Sequence, residues 1–513
     1  MSVIGFTGRG GREINMLNLL RKGKKYTALG LMVVLIFSLA ACSGQKSSED
    51  ESEYLAKGDI TVRETYENSA DGEHAVETSG ESAEYSNIGV TKTGDSEGDE
   101  ADFYGENSAV FAAEQGTLTI KDSLIETNGT HANAVFSYGE GTVVNIADSV
   151  IETSGNCSGG LMTTGGGTMN ADNLTINTSG NSSAAIRSDR GGGVVNVTRG
   201  YYKTTGKGSP VIYSTADIAV SDAYMESTSS QGLVVEGKNS VTLRNDTLIA
   251  DNNTHNSDKS DSYQAVMIYQ SMSGDAEQGT SSFTAEGGSI TNKNGDIFFV
   301  NNTATEISLK GVVITNEDSE GNFLRAEAAG WGNEGSNGGK VDLTASAQVI
   351  NGNIIVDDVS VLNMYLKDAS EFTGAVNTDG QKGDVYVEIE DGSTWTLTAD
   401  SYVSGLTAGT GAKIDLNGHK LYVDGKEYTA GTSSEGTAFD ITSGSGSGAG
   451  SPDGKPGDGQ APPDGNGKGG TPPEKPSGDQ GGAPPEKPSG DQGGAPPDKP
   501  AEGNNAESSD DQN

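Results

Sequence analysis

Cysteine is almost missing from this chain: Cys42 and Cys157 are the only two in 513 residues. No intrachain disulfide framework is possible for a body that could hold just one of them. Histidine is nearly as scarce. His74, His131, His255 and His419 lie far apart with no metal-ligand spacing. None is recognisable as a partner for Cys157, which sits in a Gly/Ser-rich corner and reads as an incidental thiol. No nucleophile elbow and no phosphate loop occur. No repeat unit holds a run long enough in helix formers for an amphipathic helix. Basic residues are few as well, 33 against 73 acids, for a formal charge of −40. Residues 1–41 carry six basic residues and one acid, so the remainder is near −45. Repulsion excludes nucleic acid and anionic surfaces as partners. Solubility explains the charge, and binding of divalent cations is the sharper alternative.

What the chain does have is repetition. Gly116-Thr117-Leu118-Thr119-Ile120-Lys121-Asp122-Ser123-Leu124-Ile125-Glu126-Thr127-Asn128-Gly129 is echoed from Gly141 to Gly155, and again from Gly167. Looser copies begin at Gly193, Asp217, Asn239, Gly279 and Ala304. One apolar position runs Ile125, Ile151, Ile176, Tyr202, Met225, Ile249; a second runs Val135, Leu161, Ile186, Val211, Leu233. Both recur every 22–26 residues, the mark of a repeat array. Each unit contains three short β-forming runs of period two, separated by Gly, Asn, Asp and Ser, which predicts three strands and three turns. At about 3.3 Å per residue, three strands and their corners use up one coil of a solenoid, with inward residues stacking about 4.8 Å apart. The expected fold is all-β, a parallel β-helix whose regular coils span 88–326, with Val90 and Val110 extending the two ladders. In these repeats the chain resembles the right-handed parallel β-helix proteins of the pectin-lyase-like superfamily. The handedness follows from that resemblance and from the bias of parallel crossovers.

The flanks differ. Arg21, Lys22, Lys24 and Lys25 precede an apolar run from Tyr26 to Leu39 that ends Leu39-Ala40-Ala41-Cys42. This reads as a signal peptide over 1–41, with Met16 an alternative start. Its end resembles the bacterial lipobox, which implies lipidation of Cys42 and a protein anchored outside the cytoplasm at the cell surface. Residues 42–58 are a polar tether, and the body is expected over 59–440, its first strand run at Ile60-Thr61-Val62. From 340 to 428 the strands shorten; this stretch resembles the later rungs of autotransporter-passenger and adhesin-like β-helices, and continues and caps the solenoid. After about Ile441 the chain turns to Gly, Pro, Ser, Asp and Lys, with residues 472–483 repeated at 484–495. Such a tail over 441–513 cannot bury a core and is expected to be a disordered spacer.

Candidate sites follow from this layout. Insertions at Asp251–Tyr263, Ser271–Gln278 and after Phe323 project from the coils, where solenoids carry function. Trp331, with Asn333 beside it, is a residue a saccharide could stack upon; Tyr263 and Tyr269 border the neighbouring insertions. Asp122, Asp148, Asn173, Asp222 and Asp246 form a register that reads as turn chemistry, with a calcium ladder as the alternative. Asp95, Glu97 and Asp99 crowd one acidic loop that could take the same ion. No other cofactor is expected. The superfamily resemblance raises a polysaccharide lyase or hydrolase acting on acidic polysaccharide, for which Arg187, Asp189 and Asp222 are the candidate set. Asn377-Thr378-Asp379 matches one polygalacturonase element, but the paired acids and the histidine that should accompany it are out of place. The competing expectation is a non-catalytic surface solenoid that binds a glycan or a protein.

Overall fold

A computed structural model describes residues 53–255, 257–431 and 436–442, all within one compact unit. The leader, Cys42 and the tail beyond Thr442 lie outside the described residues.

The described chain is a parallel β-helix. In one coil the strands are Val143–Ala147, Val150–Thr153 and Leu161–Thr164. Each pairs in parallel with its counterpart one coil earlier, Val143 with Thr117, Val150 with Leu124 and Leu161 with Val135. In the regular coils the first two strands contribute to a 20-stranded sheet and the third builds an 11-stranded parallel sheet from Val76–Ser79 to Ile354–Val356; in the last coils Val349–Asn351, Glu371–Thr373, Thr394–Thr396 and Lys413–Asp415 form a separate four-stranded sheet. Alternate residues point inward, so Ile125, Ile151, Ile176, Tyr202 and Met225 form one buried ladder.

The bend between the first and second strands needs a left-handed residue, and short polar side chains tolerate that conformation best. Asp122, Asp148, Asn173 and Asp222 hold φ between 49° and 57°, which explains the register as turn chemistry. In the following coil the position passes to Asn245 (φ 56°) rather than Asp246. The ladder shifts with it: Met225 pairs with Leu248, and Ile249 pairs with Glu226 on the outward face. A slip of one residue exchanges the two faces of a strand, and both expectations failed together for that reason. Asp246 instead turns inward, where its carboxylate accepts the N–H groups of Ala223 and Arg244, both at 2.8 Å. Burial pushes its pKa up to about 7. The second ladder has a similar slip. Ile212, not Val211, pairs with Ile186 and Leu233, and since both residues are fully buried, hydrophobicity could not separate them.

The corner between the second and third strands is a polar spine inside the protein. Thr153, Thr178 and Thr204 donate to the carbonyls of Ser158, Ser183 and Ser209 at 2.7, 2.5 and 2.6 Å. Ser183 Oγ accepts the Ser158 N–H at 2.9 Å and donates to the Gly155 carbonyl at 3.0 Å. The glycines are required by close approach. A Cβ on Gly155, Gly180 or Gly206 would stand 1.8 Å from the carbonyl oxygen of the preceding coil's glycine.

Strands continue beyond the regular coils through Lys340–Ser346, Val361–Lys367, Asp384–Ile389 and Gly405–Ala408. Trp395 packs in the core, stacked on Phe372 and donating to the Gly374 carbonyl at 3.0 Å. An antiparallel pair, Leu421–Val423 with Lys426–Glu427, closes that end. At the other end the first strand is Glu64–Asn68, not Ile60-Thr61-Val62. Residues 53–62 run outside the coils instead. Tyr54 packs on Tyr201 and Tyr224 at 5.2 and 6.1 Å between ring centroids, and Lys57 reaches Glu126 and Glu152.

Candidate functional site

A strand covered on both faces loses its alternation. Leu233–Glu236, Gln264–Tyr269 and Asp296–Asn301 are buried at every position, so the outer face of the 11-stranded sheet is covered too. Phe111, Phe136, Met162, Arg187, Tyr213, Val234, Met267, Phe299 and Arg325 form the outward rank in unbroken register. Several insertions meet over this rank.

Near its first coils the cover is the segment containing the short helix Asp99–Phe103. Arg190 lies 3.7 Å over the Phe103 ring and pairs with Asp275 at 2.8 Å and Asp99 at 3.4 Å. His131 ties the same segment to the spine. Its Nδ1 faces the Ser96 carbonyl at 2.8 Å and its Nε2 the Asp102 carboxylate at 2.9 Å, two acceptors that require both ring nitrogens to donate. The Asp102 contact lifts its pKa to about 10, and hydrogen bonding with Cys157 adds to the effect. Cys157 therefore has the histidine neighbour that its sequence context did not reveal.

In the middle of the rank Arg187 pairs with Asp189 at 2.8 Å, both side chains largely buried. Asp222 does not join them: it sits on a turn of the larger sheet, where Asn245 reaches it at 3.4 Å. The lyase set is thus divided between two faces. The acidic candidates are also dispersed. Asp95 accepts the Thr130 N–H at 2.7 Å, Asp99 engages Arg190, Glu97 points to solvent, and Asp122 and Asp148 occupy turns. No group of three or more His, Cys, Asp and Glu able to hold a metal occurs among the described residues.

Farther along the rank a cleft of about 180 Å³ opens. Its floor is Tyr213, Val234, Met267 and Tyr269; Trp331 forms one wall, and Asn252, Thr254, His255, Ser257, Ser260 and Gln264 line the other. Trp331 meets Tyr269 edge-on at 5.2 Å. Its loop is pinned, because Asn337 donates to the carbonyls of Ala329 and Trp331 at 2.6 and 2.8 Å. Beneath the floor, Tyr213 donates to Glu236 and approaches the Tyr269 hydroxyl at 3.3 Å, while Glu236 also accepts the Ser271 N–H at 3.2 Å. Burial raises the pKa of both phenols, which stay protonated. Two side-chain carbonyl oxygens of cleft residues, Asn252 Oδ1 and Gln264 Oε1, are buried with no hydrogen-bond partner. Such orphans carry a desolvation cost that a donor would relieve.

Of the four residues proposed for ligand contact, Trp331 and Tyr269 come together here. Tyr263 lies one layer back, stacked on His255 at 4.1 Å, and Asn333 is exposed on the loop, its carbonyl holding Ser336. Tyr213, Asn252, His255 and Gln264 were missed. Only the lost alternation of Gln264–Tyr269 hinted at a covered face. A longer groove of about 490 Å³ runs on the other flank, lined by Thr91, Glu126, Glu152, Asn177 and Lys203, with Lys57 spanning the two glutamates. No protein-family model, no curated protein and no solved structure matches this chain.

Proposed function

We propose that this protein is a surface-displayed β-helix, related in kind to the pectin-lyase-like superfamily, that binds an extracellular glycan in the Trp331–Tyr269 cleft without turning it over. The observation that carries the reading is the pairing of the Trp331–Tyr269 aromatic wall with a facing polar wall of Asn252, Thr254, His255 and Gln264. Sugar rings offer apolar C–H faces to aromatic rings and hydroxyl donors to acceptors. The leader and lipobox-like ending support secretion and attachment through lipid on Cys42, with the polar stretch that follows it as tether and the Gly/Pro-rich tail as spacer. No nucleic acid is expected as partner.

Catalysis by β-elimination is the competing reading, and Arg187 is its candidate base. Its guanidinium is committed to Asp189, and the Tyr213–Glu236–Tyr269 network is internally bonded. A glycan array probed with the secreted chain, with and without calcium, decides between the two. Retention is expected without new unsaturated or reducing ends, and Trp331→Ala is expected to weaken it at least about tenfold with little change in thermal stability. Product formation would overturn the binding-only reading.

A further inference from the structure

We infer that the cleft captures the uncharged terminal residue of a glycan rather than the middle of a chain, an inference that rests on the reading above. The first ground is closure. Gly330 donates its N–H to the Lys259 carbonyl at 2.7 Å, joining the 327–339 loop to the 251–263 loop. The cleft is therefore walled where an open groove would continue. Along the rank it is also blocked. Toward earlier coils the Arg187–Asp189 pair fills the face; toward later coils Phe299 is fully buried, and Arg325 is held by Asp296 at 2.5 Å and Glu327 at 3.2 Å. The second ground is size. At about 180 Å³ the cleft is far smaller than the 490 Å³ groove on the other flank.

The third ground is polarity. The two orphan atoms, Asn252 Oδ1 and Gln264 Oε1, are both acceptors and call for hydroxyl or amide hydrogens. Arg187 is paired with Asp189, and Lys259 stands beside the indole, 5.9 Å from its centre. The chain as a whole is strongly acidic and repels anions at long range. A neutral terminal sugar suits the closure and the size of the cleft and supplies hydroxyl donors; a residue in the middle of a polymer suits neither the closure nor the size.

The test is calorimetric titration of the full secreted chain with chito- and cello-oligosaccharides of one to six units, and with oligogalacturonates of matching length. Affinity for a neutral series is expected to level off at one or two units, with less than about a twofold gain thereafter. The acidic series is expected to bind at least about tenfold more weakly, and Trp331→Ala to abolish the difference. Affinity rising with every added unit, or preference for the acidic series, would overturn the inference and leave glycan binding standing. Binding that Trp331→Ala leaves unchanged, or no binding by any series, would overturn the cleft as the site and the inference with it.

Discussion

The corner that joins the second strand to the third exists in two forms. From Thr153 to Ser209 it is a sealed spine of Thr, Gly and Ser in which each coil's hydrogen bonds and glycine contacts fix the length of the next. One extra residue would break the Ser183–Gly155 and Thr178–Ser183 bonds together. At Ala250 the spine ends, and the 251–263 insertion leaves from that corner to become a wall of the cleft. Repetition and elaboration exclude each other locally: a corner that measures its neighbour cannot also grow a loop. The cleft is consequently built where the spine has stopped.

Glycine substitution tests the contrast most severely. Gly180→Ala places a Cβ 1.8 Å from the Gly155 carbonyl, where backbone must move, and is expected to cost about 5 kcal/mol or more by denaturant titration. Gly274→Ala, in the Ser271–Gln278 insertion, meets nothing within 4 Å and should cost only the left-handed strain at φ 92°, about 1 kcal/mol. Similar losses at the two sites would erase the distinction between spine and insertion.

Asp246 lies where the two regions meet. Because burial lifts its pKa from 3.8 to about 7, folding favours the protonated acid, so its contribution is full below pH 4 and is lost as pH rises through 7. Thermal unfolding should show a fall of up to about 4 kcal/mol across that window, absent in Asp246→Asn. His131, which fastens an insertion to the spine, acts in a later window. Its raised pKa means that stability complete below about 6.5 is lost as pH rises to about 10. Its side chain is 12% exposed and Asp102's is 33%, so solvent reduces the effect to about 3 kcal/mol. His131→Gln should flatten the profile between pH 7 and 10, and an unchanged profile would remove the imidazolium from the account. The smallest spine effect is Ser183→Ala, which strands the buried Ser158 N–H and is expected to cost about 2 kcal/mol.

The coil was legible because inward aliphatic residues must recur with every turn of the chain, and Ile125, Ile151 and Ile176 do. Its errors had one source. Asn245 and Asp246 suit a left-handed turn equally well, as Val211 and Ile212 suit burial, and nothing local distinguishes such neighbours. The site was half legible. Trp331 stood out as a large aromatic in a glycine-rich insertion, and Tyr269 as a neighbour of the other loops. Asn252 resembled any turn former in Asp251-Asn252-Asn253-Thr254, since an acceptor becomes an orphan only through what folding places around it. Asp222 failed as a partner of Arg187 because proximity in a coil depends on which face a turn exposes, not on separation along the chain.

The strap at 53–62 bears on how the body would respond to being pulled. Tension entering at residue 53 meets the Tyr54 ring contacts first and the Lys57 ion pairs next, before it loads any hydrogen bond of the first coil. Those contacts are expected to yield one after another. Under load the strap is expected to give way first, while the coils behind it, and the cleft they carry, keep their shape.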